Sequence, residues 1–174
     1  MKLWQDNMRI TEREFFSQDA YTLAQQLIGC YICRQSDGTV SRYRITETEC
    51  YIGTDDTACH AHKGRTKRTE IMWSAGGVCY VYLCYGIHNM LNFISGPAGS
   101  PQGVLIRGVQ GADGPGKLTK KLGIDRTFNG ESLLASDRIW LESGEKLPFT
   151  ATQRIGIGYA DEKDQKALWR FVAK

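Results

Sequence analysis

No stretch of the sequence approaches the roughly 18 consecutive apolar residues of a membrane span, and the N-terminus, MKLWQDNMRITE, has no apolar core of signal-peptide length. A membrane-spanning or exported chain is therefore not expected, and an intracellular one is. Internal repeats, low-complexity tracts and interdomain linkers are also missing, so the 174 residues are expected to form one domain, 1–174. Strong charge is absent too: a net +3 and a pI near 8.5 are too mildly basic to mark a nucleic-acid binder by themselves. The sequence carries no long basic N-terminal extension, so any affinity for a duplex is expected to come from local clusters. What is there, 41% hydrophobic and 24% charged residues, suffices for a genuine core and is not the composition of a disordered chain. The six cysteines are expected to be reduced and packed as small apolar side chains within strands.

The pattern of elements predicts an α+β fold, a single mixed domain with a curved, mainly antiparallel sheet, flanking short helices and a protruding hairpin. Thr11 and Glu14 have capping-box spacing, with Ile10 and Phe15 placed as its hydrophobic staple. Ala20, Leu23, Ala24, Leu27 and Ile28 form one apolar helical stripe that Gly29 is placed to end. Strands are expected over Cys30–Arg34 and Val40–Tyr51, joined by a tight turn at Asp37 and Gly38. Gly53–Arg68 reads as a basic surface loop, with a helical turn over Thr69–Trp73. Val78–Tyr85 and Asn89–Ile94 make a second hairpin with Tyr85 near its tip, where a large aromatic brings no folding benefit. Beyond the turn-rich loop Ser95–Gly103, further strands are expected over Val104–Val109, Arg138–Leu141 and Arg154–Ile157. Pro115–Leu122 reads as a short helix stopped by Gly123, and WRFV from Trp169 closes the chain.

The chemistry concentrates on Ile45–Tyr51, ITETECY, an alternating run that puts Glu47, Glu49 and Tyr51 on one face of a strand. Tyr82 supplies a second aromatic plate, so Tyr51 and Tyr82 could sandwich an extruded base. Their electron-rich faces suit a base that carries positive charge. A carboxylate beside such a base could activate water and stabilise oxocarbenium character at the sugar during cleavage of an N-glycosidic bond. Lys63, Arg65, Lys67 and Arg68 form one basic cluster, and Lys117, Lys120, Lys121 and Arg126 a second; acid, aromatics and cations together suggest a nucleobase on a phosphate backbone. On the residues alone plainer readings stand beside these: a surface carboxylate paired with Lys or Arg, aromatic core, solvated charged faces, and a strand ion pair for Arg107.

The order TETECYIG, HAHKGRT, YVYLCYG with Asn92, VLIRGV and GPGKL resembles the alkyladenine (3-methyladenine) DNA glycosylase family, from about Phe15 to Phe171. That resemblance implies a cofactor-independent, monomeric enzyme whose partner is double-stranded DNA with damaged purines: 3-methyladenine, and as further substrates 7-methylguanine, ethenoadenine or hypoxanthine. It puts catalysis on Glu49, with Arg107 near the flipped nucleotide and its water. It stacks Tyr51 on one face of the base and His60 and Tyr82 on the other, with Asn92 crowding the 2-amino group of normal guanine. Tyr85 matches the residue that enters the minor groove and fills the gap. Cys50 and Ser74–Gly77 depart from the family's usual residues without removing a functional group.

Other motifs point elsewhere. GADGPGK, Gly111–Lys117, matches the first seven positions of a P-loop, but Leu118 stands at the eighth and Pro115 removes a backbone donor. The helix start with Lys117 is left as a site for one DNA phosphate. Cys30 and Cys33 form a lone CxxC whose members, three apart on a strand, would point to opposite faces, so no metal site is expected with Cys59, His60 and His62.

Overall fold

The computed structural model describes residues 7–174; the first six residues of the N-terminal stretch read above for a leader lie outside them. Strand β1 (Tyr31–Ser36) turns back into the long β2 (Thr39–Ile52) through Asp37 and Gly38, both in the left-handed region at φ 50° and 75°, as a two-residue hairpin turn requires. Strands β3 (Cys79–Cys84), β4 (His88–Ile94) and β5 (Gln102–Val109) follow, then β6 (Ala112–Asp113), β7 (Ile139–Glu142), β8 (Phe149–Thr152) and β9 (Arg170–Ala173). They form an antiparallel sheet of order β3-β4-β5-β2-β1-β7, with β6 on β5, β9 on β2 and β8 on β9. β2 organises it: residues 39–44 pair with β1, while 45–52 pair with β5 on one side and, in part, with β9 on the other. The register of β2 against β5 slips between Ile45 and Thr48, a bulge of the kind that bends a strand and curls the sheet into a half-barrel.

Among the described residues four short helices flank it: α1 (Arg13–Phe16), α2 (Ala20–Leu27), α3 (Pro115–Leu122) and α4 (Glu162–Lys166). On the face covered by α2 and α3, Cys50, Leu91, Phe93, Val104 and Ile106 meet Leu23, Leu27, Leu118 and Leu122 in one buried cluster, each large side chain contributing about 1.5–3 kcal/mol. Thr48 donates to the Ala24 carbonyl at 2.8 Å and ties β2 to α2. Gly29, at φ 97°, turns the chain out of α2 where a Cβ would collide with the Glu145 carbonyl. The opposite face is covered by the segment between β2 and β3, with 3-10 turns at His60–Lys63 and Glu70–Trp73; there Tyr80 and Ile94 pack with Cys59, Ala61 and Met72.

Two expectations need correction. Thr11 and Glu14 form no capping box: α1 is a single turn whose N-cap is Glu12, with no side-chain bond to the helix. The side-chain cap belongs instead to Asp19, which accepts from the Thr22 amide at 2.9 Å at the start of α2. Arg154–Ile157 is not a strand; the strand lies at Phe149–Thr152, because the fully buried Arg154 side chain draws the following backbone inward toward Asp56.

Helix α3 begins at Pro115 after Gly114 and stops at Gly123, which is left-handed at φ 64°. The Thr119 hydroxyl donates to the Asn89 carbonyl, 2.8 Å away, so it is turned toward β4 and not toward a nucleotide. The cysteines are unpaired, five buried and Cys84 partly so. Burial pushes the Cys30 thiol up to about 11 and those of Cys33 and Cys59 up to about 12. Among the described residues no three or more His, Cys, Asp or Glu side chains gather as metal ligands, and no helix is long and apolar enough to cross a membrane.

Candidate active site

Strand register decides which side chains meet. Glu49 pairs with Leu105, Leu105 with Asn92, and Asn92 with Tyr80. Directly opposed residues of neighbouring strands share a face, so Glu49, Asn92 and Tyr80 form one rung of the loop-covered face. The next rung is Tyr51, Gly103 and Ile94. Gly103 contributes no side chain between two bulky ones, and a Cβ there would press on the Phe93 carbonyl at 3.2 Å. The resulting depression is the floor of a cleft of about 420 Å³, counted to its open mouth, walled by Tyr51, His60, Tyr80, Tyr82 and Asn92. The expected base-binding residues are therefore brought to one place.

Within the cleft, His60 lies 4.5 Å from Tyr82 between ring centres, edge to face, and its Nδ1 is 3.0 Å from the Tyr80 hydroxyl. Burial, with the nearby charges of Arg68 and Lys63, holds the imidazole below its ordinary value of 6.5, so at neutral pH the ring is uncharged. Asn92 is nearly buried, and its amide nitrogen donates to the Tyr80 and Met90 carbonyls at 3.2 and 3.4 Å, which fixes the side chain.

Glu49 is fully buried, one hydrogen bond from the cleft: the Tyr51 hydroxyl donates to its Oε2 at 3.3 Å, as does the Ile155 amide, also at 3.3 Å. Its Oε1 lies 2.9 Å from Arg107 Nη1, yet among the described residues that oxygen accepts no hydrogen bond of good geometry. Desolvation outweighs the arginine and raises the carboxyl above the usual 4.5. Arg107 forks between two acids, its Nε donating to Glu47 at 3.1 Å, and Glu47 also accepts from Arg170 at 2.8 Å. Glu47 Oε1 is thus shared by two guanidinium groups, whereas Glu49 is held by one guanidinium, one phenol and one backbone amide.

Tyr85 stands at the tip of the β3–β4 hairpin, 92% exposed, with Ile87 also exposed beside it. Of the basic cluster, Lys63 and Arg68 edge a second cleft that shares His60 with the first, and the Arg68 guanidinium lies 5.7 Å from the Tyr82 ring. Lys67 is exposed. Arg65 is tied to Glu70 at 2.9 Å and leans on Trp73, which leaves it less of its charge for a phosphate. Lys117 is exposed in the first turn of α3, which packs on the hairpin through Thr119 and through Gly116 against His88.

A family model described as Methylpurine-DNA glycosylase (MPG) matches residues 14–114 and 110–174, together nearly the whole chain. The chain belongs to the methylpurine-DNA glycosylase family. Three bacterial relatives named "Putative 3-methyladenine DNA glycosylase" align over most of this glycosylase. That of Borreliella afzelii (strain PKo) is 42% identical and covers 92% of this chain and 94% of its own. That of Psychrobacter cryohalolentis is 43% identical, over 91% and 90%, and that of Rickettsia felis 44% identical, over 92% and 90%.

Around the cleft of this glycosylase stand residues that sequence reasoning missed. Arg154 donates to both oxygens of Asp56 at 2.7 and 2.9 Å and to the Cys50 carbonyl at 3.0 Å, and its guanidinium lies 4.8 Å from the Tyr51 ring centre. Asp56 in turn accepts from the Ile52 and Ala58 amides at 3.0 and 3.1 Å. This buried pair backs Tyr51 and pins the loop leading to His60. The partners stand 98 residues apart, and no local pattern links them. Tyr80, seen in the sequence only as part of YVYLCYG, carries the hydroxyl that orients His60. Tyr159 reaches the cleft from a loop with no motif of its own.

Proposed function

We propose that this DNA N-glycosylase is monofunctional and monomeric, a single domain over residues 1–174, excising alkylated purines from duplex DNA inside the cell. 3-Methyladenine is the first substrate, with 7-methylguanine, ethenoadenine and hypoxanthine as further ones. The observation that carries the reading is Glu49: a buried carboxylate ion-paired to Arg107 through one oxygen that accepts no hydrogen bond of good geometry, with a raised proton affinity and a hydrogen bond to an aromatic cleft. A carboxylate of this kind can take a proton from water and offset positive charge on the sugar as the N-glycosidic bond breaks. Arg107 favours the ionised form of Glu49 against its burial and orients it toward the reacting water.

Tyr51 stacks on one face of the extruded base, and His60 with Tyr82 on the other. The uncharged His60 matters here, because a cationic imidazole would repel a cationic lesion. Asn92, held by its own strands, excludes the 2-amino group of guanine. Tyr85 fills the stack, offsetting an unstacking cost of a few kcal/mol. Lys63, Arg65, Lys67, Arg68 and Lys117 contact phosphates on either side of the extruded nucleotide. A residue-only mechanism of this kind needs no cofactor. Single-turnover incubation with duplexes carrying 3-methyladenine, ethenoadenine or hypoxanthine, followed by alkaline cleavage, tests it. Strand breaks at the lesion are expected; tight binding without a break would make the chain a non-catalytic binder of distorted duplex instead.

A further inference from the structure

The aromatic cleft and the cleft edged by Lys63 and Arg68 share Ala58, His60 and Tyr159. Ala58 is buried and His60 half-buried, so of the three only Tyr159, 69% exposed, stands up between them. It comes from the loop between β8 and α4, yet its hydroxyl donates to the Ala58 carbonyl at 2.8 Å, across 101 residues of sequence. That bond holds a large aromatic ring over the partition between the clefts, where the ring buries little surface and adds little to folding.

A nucleotide turned out of a duplex remains joined to its strand, and deoxyribose lies between its base and its phosphates. With the base in the aromatic cleft and a phosphate at Lys63 and Arg68, the sugar has to cross the ridge, and the exposed part of the ridge is the Tyr159 ring. We propose that Tyr159 is a substrate-contacting residue whose ring packs against the deoxyribose of the extruded nucleotide. The inference rests on the base-cleft reading above and adds a sugar subsite to it.

The test is equilibrium binding, in a Glu49→Gln background that leaves the base in place, to two duplexes: one with ethenoadenine, one with a tetrahydrofuran abasic analogue that keeps the ring of the sugar but has no base. Tyr159→Ala is expected to weaken both roughly tenfold, the scale of one lost aromatic stacking contact. Tyr159→Phe, which keeps the ring, is expected to stay within about threefold of the parent. Tyr51→Ala is expected to weaken the ethenoadenine duplex alone. Thermal melting should not distinguish the Tyr159 variants from the parent, because the side chain is mostly exposed. Parent-like affinity of Tyr159→Ala for both duplexes, or a loss confined to the base-bearing one, overturns the sugar contact while leaving the base cleft standing. Parent-like affinity of Tyr51→Ala for ethenoadenine DNA overturns the base cleft and the Tyr159 assignment with it.

Discussion

Glu49 and Cys50 are neighbours on β2, yet they face opposite ways: Cys50 points into the helix-covered core, Glu49 toward the loop-covered cleft. The same division runs through β4 and β5, where Phe93 and Ile106 pack under the helices while Asn92 and Gly103 shape the cleft. Both faces are buried, so burial does not separate them; chemistry does. The core face is mainly aliphatic and aromatic, while the cleft face buries a carboxylate whose proton affinity is raised. A period-two strand lets one backbone serve both, and substitutions one residue apart should have opposite consequences.

Glu49→Gln is the strongest test of that separation. Excision should fall by about 10²- to 10⁴-fold with lesion binding retained. The fold should not suffer. Burial raises the folded-state pKa of Glu49, so its contribution to stability is fully present below the unfolded value and is lost as pH rises through the folded one. The melting temperature of the variant relative to wild type should therefore climb as pH increases above the ordinary carboxylate value of 4.5, and the acid limb of the wild-type pH–rate profile should lie above that value. Glu47→Gln, two residues along the same face, should lose far less. A wild-type rate for Glu49→Gln with a crippled Glu47→Gln would move the catalytic role by one strand repeat.

Ile106→Ala probes the other face. Removing this fully buried side chain should cost about 2–5 kcal/mol in denaturant unfolding, while single-turnover excision by the protein that remains folded stays at the wild-type rate. Slowed chemistry in fully folded Ile106→Ala would mean that the two faces are mechanically coupled. Tyr85→Ala extends the comparison to the exposed hairpin: excision from a fully paired duplex should drop more than from a mismatched one, where less stacking has to be replaced. Melting should be unaffected, and a collapse would make Tyr85 a packing residue. The smallest effect is expected from Asn92→Ser, a modest increase in release of unmodified guanine as crowding at the 2-amino position is relieved; equal release by both proteins would place selectivity elsewhere.

Much of this was legible in the sequence because it is local. Asp37-Gly38 announces its turn, Pro115 and Gly123 bracket their helix, and the spacing of Glu49 and Tyr51 puts both on one face without knowledge of any partner strand. The failures are non-local. Thr11 and Glu14 have the right spacing for a cap, but the helix they would start is four residues long and begins after Glu12. Arg154 sits in a run that reads as a strand, and only Asp56, far off in sequence, explains why it leaves the sheet. Tyr159 carries no motif, and its place at the cleft depends on the fold of two loops.

At the tip of the hairpin, Tyr85 holds φ at 51°, a region that L residues with a Cβ occupy at a cost of about 1–2 kcal/mol. Glycine would take that conformation freely. Considered as a lineage under drift, and with Tyr85 in the proposed role, position 85 is where folding and repair would make opposite demands on a single codon. A duplicated copy selected only to fold would be expected to exchange its tip tyrosine for glycine or asparagine early and without penalty, long before it tolerated change at Ile106. Among diverged copies of such a chain, the residue at the hairpin tip should report whether a copy still meets DNA.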